Sequence, residues 1–146
     1  MAYRDPYNQS IHDNVVRASR NTYAELEKQG YKVSINPDGE QNQGVGSTQL
    51  LYPDVIVWLP SKEDSSRGTA VIIEEVETES SVNQNEVNQW QSYAKLGVGK
   101  FLLIVPNTKA QLALQLVQQY KIDVYEIWYY TLVGTNINFT KYITLK

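Results

Sequence analysis

Val71-Ile72-Ile73-Glu74-Glu75-Val76-Glu77 is the stretch on which the reading of this chain turns. An apolar, strand-forming run passes directly into acids, although Asp and Glu are poor strand formers. Alternate residues of a strand share a face, so Glu75 and Glu77 point one way and Val76 the other. Upstream, Pro53-Asp54 opens a second apolar run, Val55-Ile56-Val57-Trp58-Leu59. If strands over 49–59 and 69–77 pair as a hairpin, Asp54 comes close to Glu75. Carboxylates brought together at strand ends are costly unless a cation sits between them. Asp54, Glu75 and the backbone carbonyl of Val76 form an oxygen set suited to Mg²⁺ or Mn²⁺. Such an ion can acidify a water and stabilise charge on a phosphodiester. The bland alternative makes Glu74, Glu75, Glu77 and Glu79 solvated surface acids. Pro37-Asp38 serves as an internal control. It precedes Gly39 and a polar loop, and so reads as a turn only.

The flanking sequence supplies the other elements. Ile11, Val15, Ala18, Tyr23 and Leu26 recur at helical spacing, which predicts a helix over 11–29 stopped by Gly30. Residues 31–35 alternate as a first strand, and the polar stretch 40–47 reads as a mobile loop. Residues 60–68 connect the second and third strands, completing an antiparallel meander. A helix is expected over 83–96, a strand buried on both faces over 101–105, and a helix after Pro106-Asn107-Thr108. A strand over 124–130 follows, then an edge strand over 137–145. The order is α-β-β-β-α-β-α-β: an α/β chain with a mixed sheet flanked by helices, forming a single domain over 1–146.

On the helix over 83–96, Glu86, Gln89, Trp90 and Tyr93 fall within one broad sector at about 100° per residue. Gln89 and Tyr93 are candidates to contact phosphate or metal-bound water. Trp90 reads as core.

Composition removes several alternatives. The chain has 146 residues, a net charge of −3 and 42% hydrophobic residues, enough for one core. It has no cysteine, which excludes disulfides, thiolate zinc sites and cysteine nucleophiles. One histidine, His12, excludes a multi-histidine metal centre. The polar start MAYRDPYNQS has no apolar signal core, and the longest apolar runs are strand-length. A cytoplasmic protein with no membrane partner is expected. Gln43-Gly44-Val45-Gly46-Ser47 lacks the Lys that would make a phosphate-binding loop.

Taken in order, Pro53-Asp54, the hairpin, Ile72-Ile73 leading to Glu75-Val76-Glu77, and the next helix resemble the PD-(D/E)xK nuclease superfamily. Gln89-Trp90-Gln91-Ser92-Tyr93 is similar to the QxxxY motif of its RecB-like branch. The resemblance covers roughly residues 11–130. It implies a restriction-endonuclease-like fold and a divalent metal on Asp54 and Glu75. It also implies hydrolysis of nucleic acid, with DNA the expected polymer. Members commonly pair to cut two strands, so it allows a homodimer.

The third motif position falls on Glu77, where the family usually has Lys. Glu77 adds negative charge and cannot stabilise the transition state as Lys does, but it could serve as a ligand or general base. Lys95 lies on the wrong side of its helix, and Lys100 reads as a strand-edge lysine. Glu74 is a second departure, since an apolar residue usually precedes the acid. A catalytically inactive relative, kept as a nucleic-acid-binding or assembly module, is therefore the alternative. Glu25 and Glu27 read as solvated helix acids. The aromatic run Tyr125-Glu126-Ile127-Trp128-Tyr129-Tyr130 reads as strand packing rather than a base-stacking platform.

Overall fold

The computed structural model describes residues 4–37, 40–46, 50–60 and 68–146. Six strands stand side by side in chain order: β1 (Lys32–Ile35), β2 (Val55–Pro60), β3 (Gly68–Val76), β4 (Lys100–Pro106), β5 (Glu126–Val133) and β6 (Asn136–Thr144). β1, β2 and β3 form the expected antiparallel meander. β3, β4 and β5 run parallel, and β6 returns antiparallel beside β5. Parallel neighbours need a crossover, which α3 (Val87–Ala94) and α4 (Ala110–Gln119) provide. α1 (Pro6–Asn21) and α2 (Ala24–Lys28) precede the sheet.

The mixed sheet flanked by helices is thus as expected, while several boundaries move for local reasons. α1 begins at Pro6 rather than residue 11. The Asp5 side chain accepts from the Asn8 N–H at 2.8 Å, and Pro6 occupies a first-turn position where no N–H is required. The helix breaks at Thr22 and Tyr23 before resuming as α2, and Gly30 follows with φ of 97°. β2 begins at Val55 rather than 49. Pro53 has no N–H to donate, and Leu51 instead exchanges two 2.8 Å backbone bonds with Val45. That bridge orders part of the stretch read as a mobile loop. The turn at Asp38-Gly39 and most of the 60–68 connection lie outside the described residues. The helix expected over 83–96 tightens into a 3₁₀ turn, Gln84–Glu86, followed by α3.

Both faces of the sheet are covered. On one, Ile73, Leu103, Val105 and Ile127 pack under Trp90 of α3 and Ala113 and Val117 of α4. On the other, Val55, Val76, Leu102 and Ile104 meet Val15 and Val16 of α1. β4 is buried from Phe101 to Pro106, as its unbroken apolar run requires. Each such aliphatic side chain contributes about 1.5–3 kcal/mol of burial. No helix among the described residues is long and apolar enough to cross a membrane.

Candidate active site

The alternation of β3 divides its acids between the two faces. Glu74 turns toward α1 and the break that follows it, where the Ser19 and Tyr23 hydroxyls donate to its two oxygens. Burial raises its pKa despite these bonds. Glu75 and Glu77 take the face of α3, as the strand period predicts. The register pairs Val55 with Glu74, which sets Asp54 beside Glu75. Asp54 Oδ2 accepts the Val76 N–H at 2.7 Å, which closes the hairpin end.

Asp54 and Glu75 share a hydrogen bond, and their titrations diverge. Burial alone would raise Asp54. The charge and hydrogen bond of His12, with the bonds from Glu75 and Val76, outweigh it and hold Asp54 low. Burial first, then the Asp54 charge, push Glu75 well above the carboxylate range. The two shifts are opposite in sign, so Glu75 is the member of the pair that holds a proton more readily.

His12 was not assigned to the site from sequence. Its Nε2 lies 3.1 Å from Asp54 Oδ1 and its Nδ1 3.1 Å from Asp13 Oδ1. Burial disfavours its charge, but the two carboxylates prevail and its pKa is raised. The legible signal was its place on the buried stripe of α1, with Val15, Val16 and Ser19.

Glu77 is sealed, with 0% exposure. Trp90 Nε1 donates to its Oε2 at 2.8 Å. Ser81 Oγ and Arg4 Nη2 donate to its Oε1 at 3.0 and 3.1 Å. Burial first and Glu86 second push its pKa up to about 8, against the pull of Trp90 and Arg4. Donors on both oxygens, the Arg4 guanidinium among them, favour the ionised form and limit that rise. Arg4 Nη2 also donates to the Val76 carbonyl at 3.2 Å, the oxygen expected to meet a metal. Neither Arg4 nor its contact with Glu77, 73 residues away, was read from the sequence.

A pocket of about 250 Å³ opens over this constellation, lined by Arg4, His12, Asp54, Glu75, Gln89 and Tyr93 among others. Four of the five candidate site side chains thus converge. Glu77 is not among the described residues lining the pocket. Gln89 Nε2 donates to the Tyr93 hydroxyl at 3.2 Å, and that hydroxyl donates to the Tyr52 carbonyl at 3.4 Å. Trp90 is core, as expected, and also anchors Glu77. One wall hangs on Asn36. Its amide donates to the Pro53 and Gln43 carbonyls, and its oxygen accepts the Asn42 and Gln43 N–H groups.

Other sequence candidates lie elsewhere. Glu25 pairs with Lys28, and Glu27 with Arg20, on the surface. Lys100 sits 4.7 Å above the Tyr125 ring and joins Glu74 on the opposite face of the sheet. The aromatic run packs as a strand, and the Tyr130 hydroxyl donates to the Glu77 carbonyl at 2.9 Å.

The donor set fits a hard divalent ion in part. Asp54 and Glu75 offer carboxyl oxygens at one point, whereas the Val76 carbonyl is engaged by Arg4. No group of three or more His, Cys, Asp or Glu side chains among the described residues forms a metal cage. The protein's share would be two carboxylates, consistent with a Mg²⁺ ion that keeps several waters. No protein-family model matches the chain, and no curated protein matches it.

Proposed function

We propose that this chain is a metal-dependent phosphodiester hydrolase of the PD-(D/E)xK type, acting on DNA and pairing as a homodimer where two strands are cut. One observation carries the reading. Asp54 and Glu75, from adjacent strand ends, share a hydrogen bond in a pocket that Gln89 and Tyr93 also line. Asp54 and Glu75 would hold Mg²⁺ or Mn²⁺, which when bound supplies an acidified water and charge stabilisation at phosphorus. Glu75 would take that part as a carboxylate. Gln89 and Tyr93 present an amide and a hydroxyl that can orient a phosphate oxygen or a water.

The inactive-relative reading has its own support. Glu77, at the position that usually carries the motif cation, is buried behind Arg4, Trp90 and Ser81 and is not among the described residues lining the pocket. Mn²⁺-dependent cleavage of plasmid and single-stranded DNA separates the two readings. Cleavage that falls by roughly a hundredfold or more in Glu75→Ala supports the hydrolase. Folded wild-type protein that binds DNA and leaves it intact supports the module. Cleavage that persists in the variant removes the Asp54–Glu75 mechanism.

A further inference from the structure

The pocket needs a cation where phosphate charge would develop, and Glu77 stands at the motif position that would usually supply it. The structure shows what Glu77 does instead: it seats Arg4, with Nη2 at 3.1 Å from its carboxylate. The same nitrogen reaches the Val76 carbonyl, and Arg4 lines the pocket together with Asp54 and Glu75. The Arg4 side chain is only 5% exposed, and its Nε has no hydrogen-bond partner among the described residues. A buried donor without a partner carries a desolvation cost that a ligand acceptor can relieve. A guanidinium matches phosphate oxygens through its planar fork of donors. Lys100 cannot take this duty from the opposite face of the sheet, and Lys95 is exposed beyond α3.

We propose that Arg4, seated by Glu77, is the phosphate-binding cation of the Asp54–Glu75 pocket. In chemical terms, it would bind a non-bridging oxygen of a phosphodiester backbone. The assignment rests on the hydrolase reading for its role in turnover, though anion binding can be measured without turnover.

The first test is ¹⁵N-edited NMR of the full chain. The Arg4 Nε–H signal is identified by its loss in Arg4→Lys. It should shift and saturate with added inorganic phosphate, and stay still with chloride at equal ionic strength. A signal that ignores phosphate, or follows chloride equally, overturns the proposal. The second test uses Arg4→Met/Glu77→Gln, because Arg4→Ala alone strands a buried carboxylate and can fail to fold. We expect kcat/KM for DNA to fall at least tenfold in the double variant. Mn²⁺ binding, read by calorimetry, should be kept, because Asp54 and Glu75 are untouched. Wild-type cleavage that survives within threefold in this variant overturns the Arg4 assignment and leaves the hydrolase standing. A phosphate-responsive Arg4 in a protein that cuts nothing supports the anion site and removes the hydrolase.

Discussion

Removing the Glu77 carboxyl group alone would leave the buried Arg4 guanidinium without its acceptor. Glu77→Ala should cost about 3–5 kcal/mol in urea unfolding. Arg4→Met/Glu77→Gln should recover most of that loss, because the amide still accepts from Trp90 and Ser81 while both charges are gone. A double variant no more stable than Glu77→Ala would show that the pair does not act as a unit. At this scale the sequence was legible wherever chemistry depends on short spacing. Glu75 and Glu77 share a face because strands alternate, and Gln89 meets Tyr93 because helices bring residues four apart together. Arg4 was not legible, because its partner Glu77 lies far along the chain and a polar N-terminal stretch carries no local mark of it. For His12 the helical stripe was readable, but its distant partner Asp54 was not.

The elements that shape the pocket differ in how firmly they are held. β3 and β4 are tied by a continuous parallel ladder, whereas the wall over 40–46 is held largely by the Asn36 side chain and the Val45–Leu51 bridge. Asn36→Ala removes the acceptor for two loop amides and should weaken local closure by about 1–3 kcal/mol. Hydrogen exchange at Asn42 and Gln43 should then quicken by roughly ten- to a hundredfold, while β4 amides stay protected. Equal protection in the variant would mean that the loop is held by other contacts. The order of strands and helices was readable from apolar periodicity. The true start of β2 was not, because residues 49–54 look strand-like until Pro53 and the Val45 bridge are taken together. The Asp5-Pro6 pair did carry the start of α1, in the form of a capping acid followed by a first-turn proline.

For the whole molecule, the buried acids set the pH response. Glu74, Glu75, Glu77 and Glu86 all have folded pKa values raised above the ordinary value, with burial the leading cause. Each binds its proton more tightly when folded. Its contribution is complete below the unfolded pKa and is lost as the pH rises through the folded one, about 8 for Glu77. His12, also raised, has the same sign above its ordinary value of 6.5. Asp54 is lowered, so its contribution is present above its unfolded pKa and disappears in strong acid. Thermal unfolding should therefore show the highest Tm near about pH 5 and a decline toward about pH 8. Added Mn²⁺ should raise Tm more at the alkaline end, where Glu75 gives up its proton more readily. A flat or rising profile through this range would contradict the burial of these groups. The Arg4–Glu77 contact has one more consequence, this time during synthesis. Arg4 leaves the ribosome 73 residues before the carboxylate that seats it. At about 5–20 residues per second, that is a wait of roughly 4–15 s. A nascent chain halted before β3 therefore exposes this arginine to the crowded exit region, and truncated products carry Arg4, His12 and Asp54 without Glu75 and Glu77.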